Sequence, residues 1–187
     1  MTLTHTRVAL FAATLLLAGS RLSGDLLDYY EVESIPLPEG EFSVDALAFL
    51  PDGRLVCSLS MNAIHIYNPN TKDWQLFADG LHTPLGLLPV TDDQILAMQR
   101  PELTLLSDTD GDGKADHFKT VSDDFGLSGN YAEFVAGPVR AGDGSLFFGL
   151  GTGSHFGSPL TDEVRGTYSA EGHWGRMNTP VPYRGWI

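Results

Sequence analysis

The chain has 187 residues, with 11 Lys and Arg against 24 Asp and Glu, a net charge of −13 and one cysteine. That length supports one domain with a sizeable core, or one and a half. So acidic a chain has no basic patch to neutralise phosphates, which excludes a nucleic-acid binder, and a single cysteine excludes an intramolecular disulfide.

In chain order, residues 1–20 read as a secretory leader. "MTLTHTR" supplies one positive charge, "VALFAATLLLA" an apolar run too short to span a bilayer, and Ala18 and Ser20 the small residues a signal peptidase reads. No second apolar run is long enough for a membrane helix, and no lipobox cysteine follows the leader. The expectation is a periplasmic or secreted protein with no membrane span, whose domain is residues 21–187. Removal of the leader takes away Arg7 and no acid, so the exported chain is more acidic still.

Beyond the leader, helical periodicity is nearly absent. Short apolar runs alternate with Gly, Pro, Asn and Asp, the pattern of strands and turns. The clearest strands are "DALAFL", "RLVCSLS", "AIHIYNP", "WQLFA", "LGLLPV", "QILAMQ", "ELTLLSD", "FVAGPV" and "SLFFGLG". Turns fall at 51–53, 68–73, 91–93, in "DTDGDG" and at 141–144. Cys57 lies in the alternating "GRLVCSLS", which predicts a buried, inert thiol.

Three stretches share one design: "ALAFLPDGRLVCSL", "PLGLLPVTDDQILAM" and "VAGPVRAGDGSLFFGL" each pair two apolar strands across an acidic or Gly turn. A further strand pair lies between the first two. About four strands recur every roughly 40 to 50 residues, the spacing of β-propeller blades, whose radial stacking covers both faces of each sheet. A β-sandwich with irregular strand spacing is the alternative. Residues 30–187 hold about three such units, fewer than the four to eight that close a ring. The expectation is therefore an N-terminal piece of a longer propeller, with exposed edges where the next blade belongs.

The most specific motif is "DTDGDGKADHF". With Asp108 as position 1, Asp110, Asp112 and Asp116 stand at 3, 5 and 9, Gly113 at 6 and Lys114 at 7. Alternating carboxylates in a tight loop converge on a hard cation, with the Lys114 backbone carbonyl as a further oxygen. Position 12 is Lys119 rather than the Glu of a helix-flanked hand, and strands flank the loop. A solvated Asp/Gly turn is the plain alternative, but four carboxylates in nine residues repel one another without a cation. The expected ligand is a structural calcium ion held by Asp108, Asp110, Asp112, Lys114 and Asp116.

"SDDFGLSGNYAEF" brings Asp123, Asp124 and Glu133 close in sequence, but the spacing fits no acid–base dyad and reads as a polar connection. His65 and His82 read as structural or exposed. His155 and His173 lie in Gly-rich loops that could line a pocket, though lone loop histidines are commonly inert. "GLGTGSHFG" lacks the context of a dinucleotide fingerprint, and Ser154 lacks a nucleophile elbow.

"ALAFLPDGRLVCSL", the run 102–134 and "PYRGWI" resemble the N-terminal part of a family of secreted β-propellers similar to the soluble glucose/sorbosone dehydrogenases. These are common in planctomycete-type bacteria, where they are often fused to cytochrome c modules. The resemblance covers most of residues 30–187. It implies a six-bladed propeller, a structural calcium loop, and oxidation of a sugar or alcohol dependent on pyrroloquinoline quinone (PQQ), with a cytochrome c as partner. Where the family often has a histidine, this chain has Ala132, and it carries no CxxCH haem motif. Only the aspartate loop carries over residue by residue; the His and Arg residues that the family places around the quinone would mostly come from later blades, so this chain alone is expected to be inactive. The competing reading is a calcium-stabilised propeller that binds a protein or glycan partner without redox chemistry.

Overall fold

The computed structural model describes residues 29–127, 132–152 and 181–187. The chain divides into two units, Met1–Leu37 and Pro38–Ile187. In the first, residues 29–37 contain no strand. Among its described residues the second unit is all-β, with ten strands and no helix. Ser154, His155 and His173, and the leader at 1–20, lie outside the described residues.

The strands are β1 (Val44–Phe49), β2 (Leu55–Leu59), β3 (Ala63–Asn68), β4 (Asp73–Ala78), β5 (Gly86–Pro89), β6 (Gln94–Met98), β7 (Leu103–Ser107), β8 (His117–Ser122), β9 (Val135–Arg140) and β10 (Leu146–Leu150). They form two four-stranded antiparallel meanders, β1-β2-β3-β4 and β5-β6-β7-β8, and the hairpin β9-β10; none of these sheets closes on itself. Nine strands coincide with the apolar runs read from the sequence. β8 is the addition: apart from Ser122 its residues are exposed, and it exists because its backbone pairs with β7, from Leu103↔Ser122 to Ser107↔His117.

The three stretches of common design open the three sheets, and the same turn closes each. In every case an N–H bonds the carbonyl four residues on: Leu50 to Arg54 (2.9 Å), Val90 to Gln94 (2.8 Å) and Ala141 to Ser145 (2.8 Å). Gly53 and Gly144 take positive φ of 91° in two of these turns, a conformation that costs a side-chain-bearing residue.

The sheets pack in sequence order, β1 and β2 against β5, then β5 and β6 against β9. Period-2 alternation in β6 explains how one sheet serves two neighbours. Ile95 and Ala97 join Val56, Ile64, Ile66 and Phe77 of the first sheet in one buried cluster. Leu96 and Met98 join Leu103, Phe125, Val135 and Leu150 in a second. A central strand covered on both faces must be apolar throughout, which is why "QILAM" shows no polar face. Burying each such aliphatic side chain contributes about 1.5–3 kcal/mol. Gly86 permits the closest approach between sheets, since a Cβ there would lie 1.4 Å from the carbonyl oxygen of Gly137.

Candidate metal centre and its buried counterpart

The aspartate loop, residues 108–116, links β7 to β8. The Asp116 N–H bonds the Ser107 carbonyl (3.0 Å) at its base, and the Asp108 N–H bonds the Asp93 carbonyl (2.9 Å) of the β5–β6 turn. Gly111 and Gly113 supply the positive φ, 79° and 86°, that the tight path needs. The loop also lies against the first sheet. The Ala115 N–H bonds the Phe77 carbonyl of β4 (2.7 Å), and the Gln75 carboxamide donates to the Asp112 carbonyl (3.2 Å). Gly113 passes so close to Gln75 that a Cβ would lie 2.1 Å from its Nε2.

The carboxylates organise the backbone around themselves. Asp108 accepts the N–H groups of Gly111 and Gly113 (both 2.8 Å), Asp110 that of Asp112 (3.2 Å), and Asp112 that of Lys114 (2.8 Å). Asp108, Asp110 and Asp112 each offer an oxygen, and the three oxygens lie within 4.8 Å of one another. That is a donor set of hard oxygens suited to a divalent cation. Asp116 stands differently: its two oxygens accept the Thr109 Oγ1–H (2.6 Å) and N–H (3.0 Å). The Thr109 hydroxyl, then its N–H, with His117 adding a smaller share, hold the Asp116 carboxyl below its ordinary value. Of the five residues expected at a cation, the structure gathers three carboxylates, engages Asp116 with Thr109, and has Lys114 donating its N–H to the cluster.

At the other end of β6 and β7 lies a polar cluster that sequence reasoning missed. Glu133 is fully buried, 3.8 Å from Arg100 Nη2 and 4.0 Å from Arg184 Nη2. Arg184 donates to the carbonyls of Gly126 (2.7 Å), Arg100 (2.8 Å) and Glu133 (3.4 Å), and its guanidinium lies 5.5 Å from the Phe125 ring centre. Arg100 Nη1 sits 3.3 Å from His82 Nε2. The Gln99 carboxamide accepts the His82 N–H (2.7 Å) and donates to Thr104 Oγ1 (2.8 Å). Asp123 and Asp124, adjacent to Glu133 in the sequence reading, are on the surface instead. The one signal for this cluster was the pairing of a charged residue with apolar or Gly-rich neighbours, in "MQRPE", "AEFVAG" and "PYRGWI".

Cys57 is free and buried, and burial pushes its thiol up to about 11, the inert state read from its strand. His65, its cross-strand partner, is buried edge-on to Trp74, with Nε2 4.0 Å from Glu41 Oε1. Among the described residues no helix is long and apolar enough to cross a membrane.

No curated protein and no solved structure matches the chain. Residues 70–177, more than half of the sequence and including the aspartate loop, match the family model described as Domain of unknown function (DUF7133), and the chain belongs to that family.

Proposed function

We propose that the chain forms successive blades of an exported, calcium-stabilised β-propeller whose whole protein oxidises a sugar or alcohol with PQQ. The observation that carries this reading is the antiparallel four-strand meander that occurs twice and begins a third time behind the same turn, with three convergent carboxylates in its second copy. A radial stack of such units is the economical way to cover both faces of every sheet.

The cation fits the residues present. Asp108, Asp110 and Asp112 would hold it, and the charge it supplies offsets the mutual repulsion of the carboxylates. Because the loop touches β4 as well as joining β7 to β8, a bound ion strengthens the seam between two sheets. An anionic quinone does not fit the described residues. Arg100 and Arg184 are buried and turned toward Glu133 and backbone carbonyls, so no redox step is assigned to them. The role of this stretch of chain is scaffold.

Calcium titration followed by thermal melting tests the reading. An ion that binds only the folded state stabilises it by about 2.7 kcal/mol at a hundred times its dissociation constant. The melting temperature of the wild type rises with calcium, and that of Asp110→Ala/Asp112→Ala does not. An unchanged wild type, or an equal rise in the variant, overturns the calcium assignment. Quinone-dependent dye reduction by the purified chain overturns the scaffold role.

A further inference from the structure

The first sheet has an outer face, opposite the cluster it shares with the second sheet. It carries Cys57 of β2, His65 and Tyr67 of β3, and Trp74 and Leu76 of β4. Cys57, His65 and Tyr67 are buried there. Glu41, in the segment that leads into β1, reaches this face. That segment, residues 38–43, turns at Gly40, where the Glu41 N–H bonds the Pro38 carbonyl (3.1 Å). Two bonds then pin it to Ser60 of the β2–β3 turn. The Phe42 N–H bonds Ser60 Oγ (3.0 Å), and the Ser60 N–H bonds the Ser43 carbonyl (3.2 Å).

Glu41 Oε1 lies 4.0 Å from His65 Nε2, with the two side chains only 18 % and 11 % exposed. The other ring nitrogen, Nδ1, is buried and has no hydrogen-bond partner. Around the imidazole, β2 contributes the Cys57 thiol, β3 the Tyr67 phenol, and β4 the uncharged Leu76 and the edge-on Trp74 ring. Among the described residues, Glu41 is the charge that acts on His65, and it favours the imidazolium. Burial is the larger influence and holds the ring below its ordinary value. A neutral ring with its proton on Nε2, toward Glu41, leaves only a lone pair unmatched. An imidazolium carries a second N–H, on Nδ1, into a place with no acceptor.

We propose that residues 38–43 form an acid-sensitive strap: protonation of His65 releases Glu41 and the strap from the outer face of the first sheet, while the strands beneath stay paired. Lifting the strap lets water reach the imidazolium and gives the Nδ1–H an acceptor. The attraction between Glu41 and a charged ring opposes release, but it acts at Nε2 alone and leaves Nδ1 stranded. With the strap open, His65 titrates near its ordinary value of about 6.5; with it closed, below that value. Closure is therefore fully favoured above about pH 6.5 and weakens as pH falls through the lower, closed-state value. The strap yields before the sheet because two bonds tie it to Ser60, whereas β2 and β3 pair continuously from Leu55↔Tyr67 to Leu59↔Ala63. The device belongs to the entry into β1. It stands or falls independently of calcium, of redox chemistry and of any further blade.

Amide hydrogen exchange of the full chain, followed by NMR from neutral to mildly acidic pH and corrected for intrinsic exchange, tests it. Opening of the strap is read at the Phe42 and Ser60 N–H groups. It rises by up to about tenfold for each pH unit between the two histidine values, because each opening takes up one proton. Amides of the β2–β3 ladder keep their protection, and the His65 ring titrates below its ordinary value. In His65→Gln, uncharged at every pH, strap protection is flat. In Glu41→Gln, which removes the compensating charge, the loss of protection extends to lower pH than in the wild type. Should His65→Gln not fold, the wild type decides, since the midpoint of its His65 titration marks the pH at which the strap stops loosening. Wild-type strap protection that does not fall with acid overturns the proposal. So does a fall that persists in His65→Gln, that ends at higher pH in Glu41→Gln, or that the ladder amides share equally.

Discussion

The two ends of β6 and β7 carry polar clusters of opposite construction. At one end, Asp108, Asp110 and Asp112 stand close together in a loop, Asp108 partly shielded from water and the other two exposed, with like charges softened by backbone N–H groups. At the other, Glu133 sits out of water between two guanidiniums. In the first, water screens a repulsion that a cation can remove. In the second, opposite charges compensate one another where water cannot, and removal of one partner strands the rest. The aspartate loop is thus suited to reversible binding and the arginine–glutamate cluster to permanent fastening of residues 100, 126, 133 and 184.

That contrast predicts very unequal responses to the loss of one charge. Glu133→Gln keeps the shape of the side chain but leaves Arg100 and Arg184 without their carboxylate. It should cost about 3–5 kcal/mol in urea unfolding. Asp110→Asn, measured without calcium, keeps an oxygen for the Asp112 N–H and removes a repulsion, so stability should change by no more than about 0.5 kcal/mol. Equal costs at the two ends would show that the comparison is wrong.

The same contrast governs what could be read from the sequence. The aspartate loop was legible because its partners lie within a few residues and their spacing alone brings them together. Arg184 reaches the Arg100 carbonyl across 84 residues and the Glu133 carbonyl across 51, separations at which no local pattern survives. Strands followed the same rule. β6 was legible because two neighbours bury it, and β8 was not because its solvent-facing residues carry no alternation. Asp116 marks the limit of spacing as a guide. Its position in the loop puts it within reach of a cation, but spacing says nothing of the Thr109 hydroxyl that engages the carboxylate first.

A smaller effect sharpens the link between the aspartate loop and the first sheet. Gly53 and Gly113 have nearly equal positive φ, 91° and 86°, but Gly53 faces open space and Gly113 faces the Gln75 carboxamide. Alanine at either costs about 1–2 kcal/mol for the left-handed backbone. Gly113→Ala should cost about 0.5–1.5 kcal/mol more, because Gln75 must swing away and give up its bond to the Asp112 carbonyl. A double-mutant cycle with Gln75→Ala isolates that surplus. If the two glycine variants melt alike, the Gln75 carboxamide does not hold the loop.

The smallest effect concerns Asp116, whose carboxyl is depressed chiefly by the Thr109 hydroxyl. A carboxylate favoured in the folded state contributes stability that is present above its unfolded pKa, ordinarily about 3.9, and is lost as pH falls through the lower folded value. Thr109→Val keeps the N–H donor and removes the hydroxyl, so the folded value rises toward the ordinary one and that acid-sensitive contribution shrinks. Carboxyl carbon NMR of the two proteins should show the Asp116 titration moving upward in the variant, with the acid limb of the melting profile flattened slightly. An unmoved titration would mean that the hydroxyl is not what holds Asp116. The same variant bears on the metal centre, because a carboxylate released from Thr109 becomes available to a cation. Calcium should therefore raise the melting temperature of Thr109→Val at least as much as that of the wild type.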